Sequence, residues 1–141
     1  MTVSDMSPSE AHDKILHEGY VYIDVRSVPE YDAGHPKGAY NVPIMMMTPA
    51  GMQANPDFLA IMEKRFPKDS KLILGCKAGT RSAKACRVLE QAGYLDLANQ
   101  RAGYSGTRDP FGQVTEAGWE AQGLPTASDA EAGRDYASLA G

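Results

Sequence analysis

Short apolar runs of strand type alternate with amphipathic helical stretches along most of the chain. Tyr20 to Val25 is rich in β-branched and aromatic residues and predicts a strand. Leu72-Ile73-Leu74 is continuous rather than alternating, which suits a parallel strand covered on both faces. Tyr94 to Gln100 reads as a turn and a short last strand. Helical patterns lie between them. Ser7-Pro8-Ser9-Glu10 is a capping box with proline at the first helical position. Ala11, Ile15 and Leu16 give the helix that follows an apolar face, and Gly19 ends it. Asn55-Pro56 caps a helix to about Arg65, with Phe58, Ile61 and Met62 on one face and Pro67 as its stop. Ser82 is a suitable N-cap for a helix from Ala83 to Ala92, closed by Gly93. Met45-Met46-Met47 has neither period. It reads equally as adaptable packing or as an apolar wall beside a site. Strand and helix signals in alternation predict an α/β fold.

Composition narrows the function classes. A chain of 141 residues is one domain of common size, with enough apolar residues (43%) for a single core. Residues 1–125 carry the pattern. Residues 126–141 are small and polar, with isolated Tyr136 and Leu139, and are expected to form a mobile tail. A net charge of −4 argues against nucleic acid and against a basic membrane-surface role. Two cysteines ten residues apart make neither a disulfide framework nor a Cys-x-x-Cys pair. Three scattered histidines lack metal-ligand spacing, so no metal is expected. Met1 to Pro8 lacks the pattern of a signal peptide and no run approaches membrane-spanning length, so a cytoplasmic location is expected.

The chemistry is concentrated where the apolar run 72–74 meets the third helix: Gly75-Cys76-Lys77-Ala78-Gly79-Thr80-Arg81-Ser82. Cys76 stands at the carboxyl end of a strand and faces a helix amino terminus, the place where ligands bind in open α/β sheets. Unpaired N–H groups there favour an anion, and Lys77 and Arg81 add positive charge. A cysteine so placed is expected to be a nucleophilic thiolate rather than an inert buried thiol. Cys86, on the inward face of the same helix, reads as core rather than as a resolving thiol.

Cys-x-x-Gly-x-Arg-Ser resembles the active-site loop of single-domain rhodaneses, a sulfurtransferase family. Protein tyrosine phosphatases use a related loop with five residues between cysteine and arginine, whereas here there are four. A second segment resembles another rhodanese signature: Ile23-Asp24-Val25-Arg26, Glu30-Tyr31, Gly34-His35, Gly38-Ala39 and Asn41-Val42-Pro43. Arg101 to Ser105, Trp119 and Gly123-Leu124-Pro125 resemble the family's closing pattern. Gly106 to Gly118 is longer than the usual link and reads as an inserted surface loop near the site's mouth.

The resemblance implies a small, mainly parallel sheet with helices on both faces, and a Cys76 persulfide as the sulfur carrier. It implies that residues 77–82 (Lys77, Ala78, Gly79, Thr80, Arg81 and Ser82) cradle the persulfide, with Lys77 and Arg81 steering anionic donors. Asp24, Arg26, Glu30 and His35 would support the scaffold, with Glu30 a partner for Arg26. His35 as a base for Cys76 is the less favoured alternative. The expected partners are a small anionic sulfur donor and a thiol or cyanide acceptor, or a sulfur-relay protein. No cofactor is required.

Overall fold

Five parallel strands form the centre of the molecule, in a computed structural model that describes residues 3–141. In chain order the elements begin with β1 (Ser4–Met6), α1 (Pro8–His17), β2 (Val21–Asp24), α2 (Val28–Ala33), β3 (His35–Pro36) and β4 (Tyr40–Asn41). There follow β5 (Met45–Thr48), β6 (Gly51–Ala54), α3 (Phe58–Arg65), β7 (Lys71–Gly75), α4 (Thr80–Gln91) and β8 (Asp96–Gln100). The chain closes with β9 (Thr107–Arg108), β10 (Val114–Glu116), β11 (Thr126–Ala127) and α5 (Tyr136–Ala140). The main sheet has the order β1-β8-β7-β2-β4, and every neighbouring pair is parallel.

Side chains alternate across this sheet, as strand geometry requires. Ile23, Val25, Leu72, Leu74, Cys76 and Leu97 join Phe58, Met62 and Leu89 in a core on one face. Tyr22, Ile73 and Ala98 join Ala11, Tyr31 and Trp119 in a second core on the other. Leu72, Ile73 and Leu74 are all fully buried, each contributing roughly 1.5–3 kcal/mol. The continuous apolar run thus reflects a strand covered on both faces. From β2 the chain crosses to β4 on one side, and from β7 it crosses to β8 on the other. The carboxyl ends of β2 and β7, paired through Asp24 and Gly75, therefore flank a topological switch point, where such sheets open a crevice.

Several expectations are revised. Helix α4 starts at Thr80 with Gly79 as N-cap, not at Ala83 after Ser82. Gly79 adopts a left-handed φ of 93° that turns the chain into the helix early, and Ser82 is buried. Leu16 is 61% exposed, so only part of the expected apolar face of α1 is used. The methionine run forms β5, paired antiparallel with β6 in a hairpin. The long segment after Ser105 is also a hairpin, β9 with β10, with Phe111 exposed at its turn.

Residues 126–141 are seated on the domain rather than trailing from it. Strand β11 pairs with β3. Glu131 Oε1 accepts from the Gly38 N–H at 3.1 Å and lies 2.9 Å from His35 Nε2. Arg134 donates to the Gly38 carbonyl, and Leu139 is buried in the first core. A few anchors, spaced so that each meets its own partner, hold a segment whose average composition is that of a tail.

Candidate active site

Alternation along β7 sends Leu72, Leu74 and Cys76 to the same side, the side covered by α3 and α4. Cys76 is 1% exposed. Its Sγ accepts from the Gly79 N–H at 3.1 Å. Of the N–H groups from Lys77 to Ser82, only that of Gly79 has a partner among the described residues. Those of Thr80, Arg81 and Ser82 belong to the unsatisfied first turn of α4. The loop that follows the sulfur thus carries free donors, an arrangement suited to negative charge on an atom bonded to Sγ.

Two close approaches fix the loop. A Cβ on Gly79 would collide with the Arg101 carbonyl, and one on Gly103 (φ 70°) with the carbonyls of Cys76 and Lys77. The segment after β8 can therefore lie directly against the loop. Tyr104 N–H donates to the Cys76 carbonyl at 2.8 Å, and Ser105 N–H to the Lys77 carbonyl at 3.0 Å. Trp119, buried in the second core, holds this segment in turn: its backbone N–H donates to the Gly103 carbonyl and its indole N–H to that of Pro125.

Ser82 turns its hydroxyl inward. Three acceptors lie within reach of its one proton: Asn99 Oδ1 at 2.5 Å, the Gly79 carbonyl at 3.2 Å and Cys76 Sγ at 3.4 Å. Asn99 is a site residue that the sequence did not single out. Its signal was a polar side chain near the end of an otherwise buried strand, which the register places opposite Leu74.

The charged residues pair differently from the sequence expectation. Glu30 binds Arg81, not Arg26, through two hydrogen bonds of 2.7 and 3.0 Å. Glu30 also accepts from the Ser27 N–H and hydroxyl, closing a capping box at the start of α2. Burial would raise its pKa, but hydrogen bonds from Arg81 and Ser27 outweigh that and hold it at about 2. Arg26 is buried and bonded to Asp24 (2.7 Å) and to the Gly34 carbonyl (2.6 Å), with its guanidinium 4.5 Å from the centre of the Tyr104 ring. Two residues apart at a strand end, Asp24 and Arg26 reach each other directly, which leaves Glu30 free to fold back at the N3 position of its helix. Arg81 is therefore charge-compensated. Lys77 is exposed and has no ion pair among the described residues. It lines a crevice of about 250 Å³ together with Arg26, Glu30, Gly34, Tyr104 and Ser105.

His35 is not brought to Cys76. It is fully buried, stacked on Tyr31 at 3.7 Å, with its ring nitrogens 2.7 Å from the Tyr31 carbonyl and 2.9 Å from Glu131. Cys86 lies in the core, where burial pushes its thiol up to about 12, too high for a reactive thiolate. Among the described residues no group of three His, Cys, Asp or Glu side chains is placed to hold a metal, and no helix is long and apolar enough to cross a membrane.

Residues 7–109 match the Rhodanese-like domain family. The chain belongs to that family. It is 38% identical over 123 residues to thiosulfate sulfurtransferase 16, chloroplastic, of Arabidopsis thaliana, covering 87% of this chain and 92% of that protein. It is 39% identical over 93 residues to rhodanese-like domain-containing protein 17 of the same plant, 64% of this chain and 60% of that protein's length. Among solved structures, Rv0390 from M. tuberculosis superposes with a TM-score of 0.75 at 28% identity, covering 90% of this chain and 98% of that one. The rhodanese-like α/β fold expected from the sequence is the fold observed. The family match ends just after β9, so the hairpin's turn and β10 lie beyond it, as do residues 126–141.

Proposed function

We propose that this protein is a sulfurtransferase that carries a sulfane sulfur on Cys76. The observation that carries this reading is the Cys76 sulfur hydrogen-bonded to the Gly79 N–H at the head of a loop whose other N–H groups, from 77 to 82, have no partner among the described residues. In the first step the Cys76 thiolate attacks the outer sulfur of thiosulfate. The new S–S bond forms as the bond to the sulfonate sulfur breaks, and sulfite leaves with that electron pair. The terminal sulfur of the persulfide carries the negative charge into the ring of donors, so no proton transfer is needed. In the second step a thiolate or cyanide attacks that terminal sulfur and Cys76 leaves as thiolate. The products are an acceptor persulfide or thiocyanate. Exposed Lys77 draws anionic donors to the loop.

The loop is less suited to phosphoryl transfer. A transferring phosphoryl group needs charge stabilised on three equatorial oxygens, and the one arginine of the loop is held on both sides of its fork by Glu30. The same compensation favours a second reading, a persulfide carrier loaded by a partner protein, because it leaves little free charge to capture a small dianion.

Intact mass after thiosulfate treatment, before and after a thiol, tests the proposal. The expected result is one added sulfur on Cys76, removed by the thiol, absent from Cys76→Ser and accompanied by thiocyanate formation when cyanide is supplied. Sulfur on Cys86, with Cys76→Ser still active, would overturn it. Loading by a protein persulfide donor without thiosulfate turnover would select the carrier reading.

A further inference from the structure

Helix α4 presents a row of side chains that form no ion pair among the described residues. At about 100° per residue, Thr80, Lys84, Arg87 and Gln91 fall within roughly 60° of one another, and all four are exposed. Lys77, three residues before Thr80, lines the neighbouring crevice with Arg26 and Tyr104. Lys77, Lys84 and Arg87 make no ion pair among the described residues. Glu90, the acid of α4, is half-buried about a quarter turn away. Beside the row runs a groove of about 190 Å³, where Lys84 and Val88 face Ile44, Pro56, Phe58 and Leu59. Ile44 and Phe58 belong to the same core as Cys76, so row, groove and the cysteine side chain lie on one side of the sheet.

From this geometry we infer that the α4 row and its groove dock a protein partner. The partner brings an acidic segment that seats one apolar side chain in the groove, sets its carboxylates against Lys84 and Arg87, and carries a thiol to the Cys76 loop. Charge complementarity and reach select this occupant. Arg87 lies seven residues beyond Thr80, about 10 Å along the axis, too far to serve a small donor at Cys76. A second copy meeting this face with the same face would set Lys84 and Arg87 against their own counterparts. Three cations release few counterions from a nucleic acid, and a mostly apolar groove with Lys84 as its one cation suits an apolar side chain flanked by carboxylates better than a phosphate. The thiol delivery rests on the sulfur-transfer reading, whereas the docking does not.

Three twelve-residue peptides ending in cysteine test the inference: Asp/Glu-rich with a central Leu, the same with a central Ser, and Lys-rich with a central Leu. Backbone amide NMR shifts report docking, and the rate of sulfur transfer from persulfidated protein to the peptide thiol reports its consequence. The acidic Leu peptide is expected to shift the amides around 80–88 and 54–59. It should accept sulfur about tenfold faster than the Lys-rich peptide at low salt. The advantage should disappear at about 1 M salt, where the screening length is about 3 Å. The Ser peptide should dock more weakly. The double variant Lys84→Glu, Arg87→Glu should abolish the preference and leave transfer to a small neutral thiol unchanged.

Equal responses to all three peptides, shifts confined to another face, or an unchanged preference in the double variant would overturn the inference. So would stronger shifts of the same amides by a short DNA duplex or by vesicles of anionic lipid. Amide shifts that follow the charge pattern without any sulfur transfer would support docking and count against the sulfurtransferase reading instead.

Discussion

Replacing Glu30 with glutamine separates the structural from the electrostatic role of its pair with Arg81. The Glu30 carboxyl ionises at about 2 in the fold against an ordinary value of 4.5. At 1.36 kcal/mol per pKa unit that gap sets an upper bound of about 3 kcal/mol. The side chain is 30% exposed and solvent screens the pair, so the expected loss on Glu30→Gln at pH 7 is about 1–2 kcal/mol. Because the folded value is depressed, this stability is complete above about pH 4.5 and is lost as the pH falls toward 2. Urea unfolding of both proteins should therefore show a difference that is full at pH 7 and nearly gone at pH 2. The variant also leaves the Arg81 charge uncompensated beside the Cys76 loop. Thiosulfate kcat/KM should rise severalfold at low salt, with use of a neutral sulfane donor unchanged. A stability difference constant from pH 7 to 2, or equal losses on both donors, would refute the electrostatic account and assign the pair to shaping the loop.

Three further outcomes follow from the geometry. Gly79→Ala must place a Cβ at φ 93° against the Arg101 carbonyl and should cost at least about 2 kcal/mol in urea unfolding, with persulfide formation lost through displacement of the Gly79 N–H. Leu139→Ala should cost about 2–5 kcal/mol by the same measurement, whereas a mobile tail would give no change. Lys77→Ala should weaken thiosulfate use severalfold at low salt and little at high salt, and a loss independent of salt would remove Lys77 from steering.

The local signals that a single sequence carries well were those with a fixed period or a fixed backbone requirement. Leu72 to Leu74 had to be a strand buried on two faces, and Ser7 to Glu10 had to open a helix. Cys76 had to fall where that strand ends. Long-range partners were not legible in the same way. Nothing near Glu30 in sequence favours Arg81, fifty-one residues away, over Arg26, four residues away. Asn99 looks like any polar residue of a strand until the register sets β8 beside β7. Ser82 is a good capping residue by type, but the left-handed turn at Gly79 has already started the helix and leaves its hydroxyl to face inward. The segment 126–141 failed composition-based reading because Glu131, Arg134 and Leu139 act singly, each on a distant partner.

The parallel pairing of the sheet has a consequence for how the chain is made. Ser4 pairs with Ala98, so β1, once made, waits for more than ninety residues before its sheet neighbour exists. Strand β7 docks on β2 as soon as residue 75 is free, but its other edge stays open until Asp96 to Gln100 arrive. During that interval Ser82 lacks Asn99, and the Arg101 to Ser105 segment is not yet there to cover the carbonyls of Cys76 and Lys77. The thiol therefore passes through a stage with an unfinished cradle and an unpaired strand edge beside it. Nascent chains arrested between residues 80 and 100 should be the most vulnerable to thiol oxidation and to edge-to-edge aggregation.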